Sequence, residues 1–280
     1  MIAEQRWSAE AGARTIELGD LRISYVPDGA VGLKPRGWFP ETTAQDWRDH
    51  AHHLDGAGQL VASIGGLLVE RGPRAMLVDA GFGPASRPDD PANPAVAATR
   101  GGALLDNLAA LGRAPEQVEA VAITHLHTDH IGWAHRGAFP AARILVAEPE
   151  WERRDQRAAD VTEAVLAGLE PQLETIREGQ EVFPGVRVRY SVGHTPGHAS
   201  YVITSGDRRL VVLGDALHSA VQIANPSWPV WADVDRAAAI RSRQELVREL
   251  QQPGMIGFGV HFADVQFGRV GDDGAWCPLP

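Results

Sequence analysis

The most informative segment of the sequence is Thr124-His125-Leu126-His127-Thr128-Asp129-His130, which directly follows the apolar run Ala120–Ile123. A buried strand that ends in three histidines and a carboxylate brings several metal-binding groups to one place, because the chain turns there and alternate side chains converge. A histidine-rich surface turn is the alternative interpretation, but it would leave His125 beside a buried strand without a charged partner. The stretch therefore predicts a metal site at a strand end.

Three further candidate ligands lie downstream, each after an apolar or β-like run and beside a glycine that permits a tight loop. They are His198 in Gly193-His194-Thr195-Pro196-Gly197-His198, Asp215 in Leu213-Gly214-Asp215, and His261 in Gly259-Val260-His261. Together with the first stretch they make seven ligands, more than one tetrahedral ion can use. Seven ligands suffice for two ions that share a bridging carboxylate and a bridging water.

Composition excludes several classes of partner and of protein. The chain has 280 residues with 26 Lys and Arg against 36 Asp and Glu, a net charge of −10, so nucleic acid is not expected as a partner. The N-terminal segment lacks the apolar run of a signal peptide, and no apolar stretch is long enough to span a bilayer, so we expect a cytoplasmic protein without membrane contact. The single cysteine, Cys277, has no partner for an internal disulfide. The oligomeric state stays open, with a homodimer as one option.

The pattern of strands and helices predicts one α/β domain over residues 1–280. Helical periodicity is clear in Gly102–Leu111 and in Asp235–Leu250, which opens with a capping Asp. Gly81–Pro94 is interpreted as a long loop between a strand and a helix, and Gly179–Gln180 and Ser205–Gly206–Asp207 as tight hairpin turns. The predicted strands are Leu21–Val26, Ile64–Glu70, Ala75–Val78, Ala120–Thr124, Arg143–Val146, Val186–Val192, Ser200–Thr204 and Arg209–Leu213. These strands cluster in two halves, each followed by helix, which predicts two packed sheets with helices outside.

The H-x-H-x-D-H pattern, followed by a distal His, an Asp and a final His, resembles the signature of the metallo-β-lactamase superfamily. The resemblance extends from roughly Leu60 to Gly268 and includes the strand-end Asp79. It implies an αββα sandwich, in which two mixed sheets pack face to face with helices outside. The segments Ser191–Ser200, Leu210–His218 and Asp233–Glu249 are most similar to the branch that holds methyl parathion hydrolase and the quorum-quenching N-acyl homoserine lactonases.

The resemblance also implies a ligand set. His125, His127 and His198 would hold one divalent ion, Asp129, His130 and His261 the other, and Asp215 would bridge them. Asp79 would orient a ligand by hydrogen bonding, and His194 would be a structural hydrogen bonder rather than a ligand. Zn²⁺ is the default ion for such a site, although Fe²⁺, Mn²⁺ and Co²⁺ suit the same ligands.

Outside the ligand set, the residues that bear on substrate are one histidine and a group of aromatic side chains. In the homoserine lactonases the position of His218 carries a tyrosine that contacts the substrate carbonyl, so His218 is a candidate hydrogen-bond donor or acid, against the alternative of a rim residue. Five aromatic residues are expected to line a pocket for a small apolar or aromatic substrate: Trp38, Phe39, Trp133, Trp228 and Trp231. His50, His52 and His53 lie in a polar segment and are expected on a solvated surface.

The predicted activity is metal-dependent hydrolysis of a carboxylic ester, most simply a lactone or aryl ester. Two divalent ions would provide a bridging hydroxide at neutral pH, and Asp129 would carry a proton to the departing alkoxide, with help from His218. Three other activities are compatible with the same ligands. They are a phosphotriesterase, a thioesterase of the glyoxalase type, and a di-iron redox enzyme; a binding module without activity is disfavoured because all seven ligands are intact.

Overall fold

The computed structural model describes residues 5–280, so the N-terminal segment expected to lack a signal peptide falls partly outside the described residues. The first sheet contains β1 (Arg14–Leu18), β2 (Leu21–Leu33), β3 (Leu60–Arg71), β4 (Arg74–Val78), β5 (Ser86–Arg87), β6 (Val96–Arg100), β7 (Ala120–Ala122), β8 (Arg143–Ala147) and β9 (Leu173–Ile176). The second contains β10 (Glu181–Phe183), β11 (Val186–Tyr190), β12 (Ala199–Ser205), β13 (Arg208–Val212), β14 (Met255–Phe258), β15 (Phe267–Val270) and β16 (Trp276–Pro278).

Both sheets are mixed. The first has the order β5-β6-β2-β3-β4-β7-β8-β9, with β1 paired to β2, and the second runs from β10 to β16 in sequence order. Strands β4, β7, β8 and β9 are parallel neighbours, as are β13 and β14, whereas the other pairs are antiparallel. The prediction of two mixed sheets is confirmed.

The helices are short except for the last one. They are α1 (Pro35–Trp38), α2 (Ala44–Asp49), α3 (Leu104–Ala110), α4 (Thr128–Ile131), α5 (Glu148–Glu152), α6 (Glu163–Leu169), α7 (Val221–Ala224) and α8 (Arg236–Leu250). Short 3₁₀ turns occupy Arg6–Ser8, Ala51–His53, Pro115–Gln117, Ala134–Arg136, Arg154–Gln156, Glu170–Gln172 and Gly214–Ala216. Both predicted helices are confirmed, as α3 and α8, and the Asp235 carboxylate caps α8 by accepting a hydrogen bond from the Ala238 amide at 2.9 Å.

Alternating side chains on each strand separate the core into layers. On β4, Met76 and Val78 point into the core between the two sheets, whereas Ala75 and Leu77 point the other way, toward the helices. Leu104 and Leu108 of α3 cover that outer face. On the far side of the second sheet, Leu246, Val247 and Leu250 of α8 form the corresponding layer. The four layers agree with the αββα arrangement.

Two predicted connections differ in the structure. Gly81–Pro94 is not a plain loop between a strand and a helix, because it contains β5 and leads into β6 before α3 begins. Gly179–Gln180 is not a hairpin turn within one sheet, since it connects β9 of the first sheet to β10 of the second. Ser205–Gly206–Asp207 does join the antiparallel strands β12 and β13 as predicted, with Gly206 at φ 60°.

The segment between β2 and β3 folds over one end of the sandwich as an aromatic cluster. The expectation of a solvated surface is wrong for His53, which is only 6% exposed and whose ring lies 5.1 Å from that of Trp7. Burial lowers the pKa of His53 to about 3, so its imidazole is neutral at physiological pH. His52 is exposed and His50 is half-buried, so only part of this polar segment is exposed to solvent.

Across the part of the chain that the structure describes, no helix combines the length and apolar character needed to cross a membrane.

Candidate metal centre

Strand directions bring the predicted ligands to one end of the sandwich. The H-x-H-x-D-H stretch follows β7, Asp215 follows β13 and His261 follows β14, and each of these strands has a parallel neighbour. The carboxyl ends of parallel strands meet at one edge, where loops carry functional side chains. The residue pattern at strand ends therefore becomes a single cluster in space.

Asp215 lies at the middle of this cluster and is buried. Its Oδ2 lies 3.7 Å from His125 Nε2 and 3.4 Å from His194 Nε2. Its Oδ1 lies 3.2 Å from His130 Nε2 and 3.1 Å from His261 Nε2. The two oxygens of one carboxylate thus face two separate groups of histidines, which is the arrangement of a bridging ligand.

Two sets of donor atoms are compact enough to hold a metal ion. In each set, the donor atoms lie within 4.8 Å of one another: His125, His127, His194 and Asp215 form the first, and Asp129, His130 and His261 form the second. The first set combines three imidazoles with a carboxylate. The second combines two imidazoles with a carboxylate, and the Oδ1 atom of Asp215 completes it. Nitrogen and carboxylate donors of this kind suit Zn²⁺ and similar divalent ions.

The structure corrects one predicted ligand. His198 does not belong to the centre, because its Nε2 accepts a hydrogen bond from the Asp215 amide at 2.9 Å and its Nδ1 lies 2.8 Å from Ser191 Oγ. Both ring nitrogens are therefore already engaged. His194, expected to be a structural hydrogen bonder, instead points its Nε2 at Asp215 and lies 3.2 Å from His127 Nδ1. His198 positions the backbone of the bridging Asp215, and His194 is the third imidazole of the first set.

The polar atoms of the cluster fit cations. Among residues 5–280, the buried His125 Nε2, His130 Nε2 and Asp215 Oδ1 have no hydrogen-bond partner, which is costly unless another group satisfies them. Burial lowers the pKa of His127 to about 4, so its imidazole is neutral and able to ligate. Burial opposes protonation of His130 too, but the surrounding Asp215 and Asp79 carboxylates raise its pKa well above the usual value. The negative charge buried here requires compensation, and divalent ions would supply it.

Hydrogen bonds behind the cluster hold the ligand rings. Asp79 Oδ2 lies 2.9 Å from His130 Nδ1, and its Oδ1 accepts from the Thr124 amide at 2.8 Å, so Asp79 holds the His130 ring and is not part of either donor set. His261 Nδ1 lies 2.8 Å from the Ser63 carbonyl oxygen. In both rings this contact leaves Nε2 facing the centre.

Glu150 of α5 is an organising residue that the sequence did not reveal. Its buried carboxylate accepts hydrogen bonds from the Leu126 amide at 2.9 Å and from the Thr195 hydroxyl and the Gly197 amide, each at 2.8 Å. Leu126 lies between the candidate ligands His125 and His127, and Thr195 follows the candidate ligand His194. Glu150 therefore ties the two ligand loops of the first set together. An isolated glutamate in a short helix carries no signal for this role in the sequence.

His218 lies at the centre, as its spacing from Asp215 suggested. Its Nε2 is 3.1 Å from Asp215 Oδ2, and its ring lies 5.1 Å from that of Trp38 and 4.7 Å from that of His194. Trp231, which is 53% exposed, lies 6.3 Å from Trp38. Trp38 and Trp231 therefore form an aromatic flank beside His218.

The other predicted pocket residues serve packing. Phe39 is fully buried between Trp47 and Trp228, with ring centroids 5.6 and 6.0 Å away, so the prediction that it lines a pocket is wrong. Trp228 is half-buried in the same cluster. The half-buried indole of Trp133 packs against the helix-side core and donates to Asp28 Oδ1 at 2.8 Å, and its place in a substrate pocket stays a prediction.

Known proteins show similar sequences and folds. An N-acyl homoserine lactonase of Bacillus cereus is 35% identical over 103 residues, covering 37% of this chain and 40% of that protein. Another, from a Bacillus species, is 30% identical over 159 residues, covering 56% and 61%. These alignments span less than two thirds of either relative's length.

A solved structure shows the same fold over nearly the whole chain. The dizinc quorum-quenching lactonase AidC, in complex with a homoserine product, superposes with a TM-score of 0.81 at 22% identity, covering 96% of this chain and 98% of that one. At the level of sequence, the pattern of the metallo-beta-lactamase superfamily matches residues 67–254. Since this match extends over more than half of its residues, the chain belongs to the metallo-β-lactamase superfamily.

Proposed function

We propose that this protein is a dizinc hydrolase that opens the ester bond of a small lactone carrying an apolar or aromatic substituent. The observation that carries the proposal is the position of Asp215, whose two carboxylate oxygens face two separate groups of imidazoles. Names of relatives add support for the substrate, since N-acyl homoserine lactonases align with parts of this chain. The predominance of imidazole ligands favours zinc over manganese, and the dizinc centre of a structural neighbour is the support for zinc over iron.

Each candidate ligand is assigned to one of two metal ions. His125, His127 and His194 would hold one ion, Asp129, His130 and His261 the other, with Asp215 between them. Divalent ions at such a site supply Lewis acidity, which acidifies water and polarises a carbonyl oxygen.

Asp129 and His218 are the groups that we assign to proton transfer and carbonyl recognition. The Asp129 carboxylate is 25% exposed, more than that of Asp215, so it can exchange a proton with solvent and with a departing alkoxide. His218 lies 3.1 Å from Asp215 Oδ2 and beside the aromatic flank, where a lactone ring would be held. An imidazole N–H at this place would donate to the carbonyl oxygen as it gains charge.

Relative rates on a panel of substrates test the proposal. We expect the zinc-loaded protein to hydrolyse an N-acyl homoserine lactone with a kcat/KM at least about tenfold above that for an aryl ester or paraoxon, because the site recognises a carbonyl carbon. Protein stripped with a chelator is the control and should be inactive on all of them. Faster hydrolysis of paraoxon would indicate a phosphotriesterase, faster hydrolysis of a glutathione thioester would indicate a thioesterase, and a coloured iron protein without hydrolysis would indicate a redox enzyme.

Substitution of His218 tests its role separately. His218→Ala should lower kcat on the best lactone roughly ten- to a thousandfold, the range for losing one hydrogen-bond donor or acid, with metal content unchanged. His218→Phe should be equally poor, whereas His218→Tyr should keep part of the activity because its hydroxyl can donate. If all three variants keep kcat and change only KM, His218 merely lines the pocket.

A further inference from the structure

We propose that the buried ion pair Asp233–Arg243 is a positioning pair, which sets the ring of His194 and thereby the metal affinity of the first ligand set. The inference rests on the metal centre of the proposed function and is independent of the substrate. Neither residue belongs to the donor sets, and both side chains are 0% exposed.

Asp233 contacts the ring edge of His194 that faces away from the centre. Its Oδ1 lies 3.3 Å from His194 Nδ1, while His194 Nε2 lies 3.4 Å from Asp215 Oδ2 on the opposite edge. A carboxylate next to Nδ1 keeps the ring proton on that nitrogen, which leaves the Nε2 lone pair free for a cation. Asp233 is thus placed to select both the tautomer and the orientation of His194.

Arg243 of α8 holds this carboxylate and two further segments. Its Nη2 lies 3.3 Å from Asp233 Oδ2, its Nη1 donates to the Trp228 carbonyl oxygen at 2.8 Å, and its Nε donates to the Ala216 carbonyl oxygen at 2.6 Å. Ala216 directly follows the bridging Asp215. One guanidinium therefore links the residue after Asp215, the backbone at Trp228, and Asp233, the partner of His194.

Backbone contacts join the same two segments. The Val234 amide donates to the His194 carbonyl oxygen at 3.2 Å, and the Asp235 amide donates to that of Gly193 at 2.9 Å. The Val230 amide also donates to Asp233 Oδ2 at 3.0 Å. The Asp233 side chain is therefore held on a segment that is itself fastened to the His194 loop, so little freedom remains in the imidazole.

Stability alone does not account for this pair. Burying two charges costs solvation free energy, and replacing a buried pair by apolar residues of similar size is often neutral or stabilising. An apolar pair could join the helix to the loop, but it could not hold a proton on His194 Nδ1. The buried Asp233–Arg243 pair is therefore explained by the need to hold a proton on His194 Nδ1.

Two variants separate positioning from folding. Asp233→Asn keeps the size of the side chain but leaves Arg243 buried without a counter-charge, so it should lose stability as well as metal affinity. The double variant Asp233→Leu/Arg243→Met removes both charges, so its stability should recover. If the pair positions His194, metal affinity should stay low in the double variant.

Chelator competition with Zn²⁺ is the measurement, because it reports two dissociation constants without requiring activity. In both variants we expect one constant to rise about 10- to 100-fold, the usual effect of losing the partner of a ligand histidine, and the other to change much less. Asp235→Ala is the matched control: it lies two residues away, removes the cap of α8 and should lower the melting temperature by a few degrees, with both constants unchanged.

Long-range ¹H–¹⁵N spectra of the His194 ring test the pair in the unaltered protein as well. We expect the proton on Nδ1 in the wild type and a mixture of tautomers in the double variant. Wild-type protein that binds two ions, combined with double-variant constants equal to those of the wild type, would overturn the positioning role alone. Wild-type protein that binds only one ion would overturn the metal centre on which the inference rests.

Discussion

Replacing Asp215 with alanine is expected to remove metal from both halves of the centre and to lower hydrolysis about a thousandfold or more. The reason is that each carboxylate oxygen faces a different histidine group, so one truncation takes a ligand from both ions. Without the bridge, two cations would lie close together with one fewer negative charge between them. Two ions contribute several kcal/mol of charge stabilisation in reactions of this type, which corresponds to the expected loss of rate.

Metal content and rate should be measured together for this variant. Cys277→Ser is the control, because Cys277 is exposed near the C-terminus and contacts no residue of the centre, and it should retain both metal and activity. Equal losses in the two variants would mean that the centre has been placed wrongly. Full activity in Asp215→Ala would have the same meaning.

Alanine substitutions at His194 and His198 should differ in kind. His194→Ala removes a ligand, so it should lose one of two metal equivalents and most of the activity, on the order of a hundredfold or more. His198→Ala removes the acceptor of the Asp215 amide, so it should keep two equivalents at saturating metal but bind them more weakly. Elemental analysis after equilibration with excess Zn²⁺ distinguishes the two, and the reverse pattern would restore His198 as the ligand.

The sequence alone does not decide whether His194 or His198 is the candidate ligand. Both follow a glycine in Gly193-His194-Thr195-Pro196-Gly197-His198, and either spacing from β11 is compatible with a ligand. The choice depends on contacts from elsewhere in the chain. Gly214, at φ 53°, lets the Asp215 amide approach His198 so closely that a Cβ at Gly214 would lie 2.5 Å from His198 Nε2. Glycine permits this conformation, but the sequence does not identify the ring that the amide approaches.

Elsewhere in the molecule too, features set by the local sequence were predictable, whereas features set by long-range contacts were not. Asp79 and the candidate ligands after β7, β13 and β14 were predictable as members of one polar cluster, because polar residues directly after apolar strands are easy to recognise in the sequence. The short strands β5 and β6 were not, since β5 has only two residues and both are exposed. The burial of His53 depends on Trp7, and the roles of Glu150 and Asp233 depend on long-range contacts. These partners are distant in the chain, so the local sequence does not predict them.

Seven side chains, with His194 in place of His198, are expected to form a centre for two ions. The decisive experiment is elemental analysis of protein purified without chelator and equilibrated with excess Zn²⁺. Two equivalents per chain are expected, because a single ion would leave donors of one set unpaired in a buried cluster. A stoichiometry that stays at one equivalent under saturating Zn²⁺ would show that the two donor sets do not hold two ions.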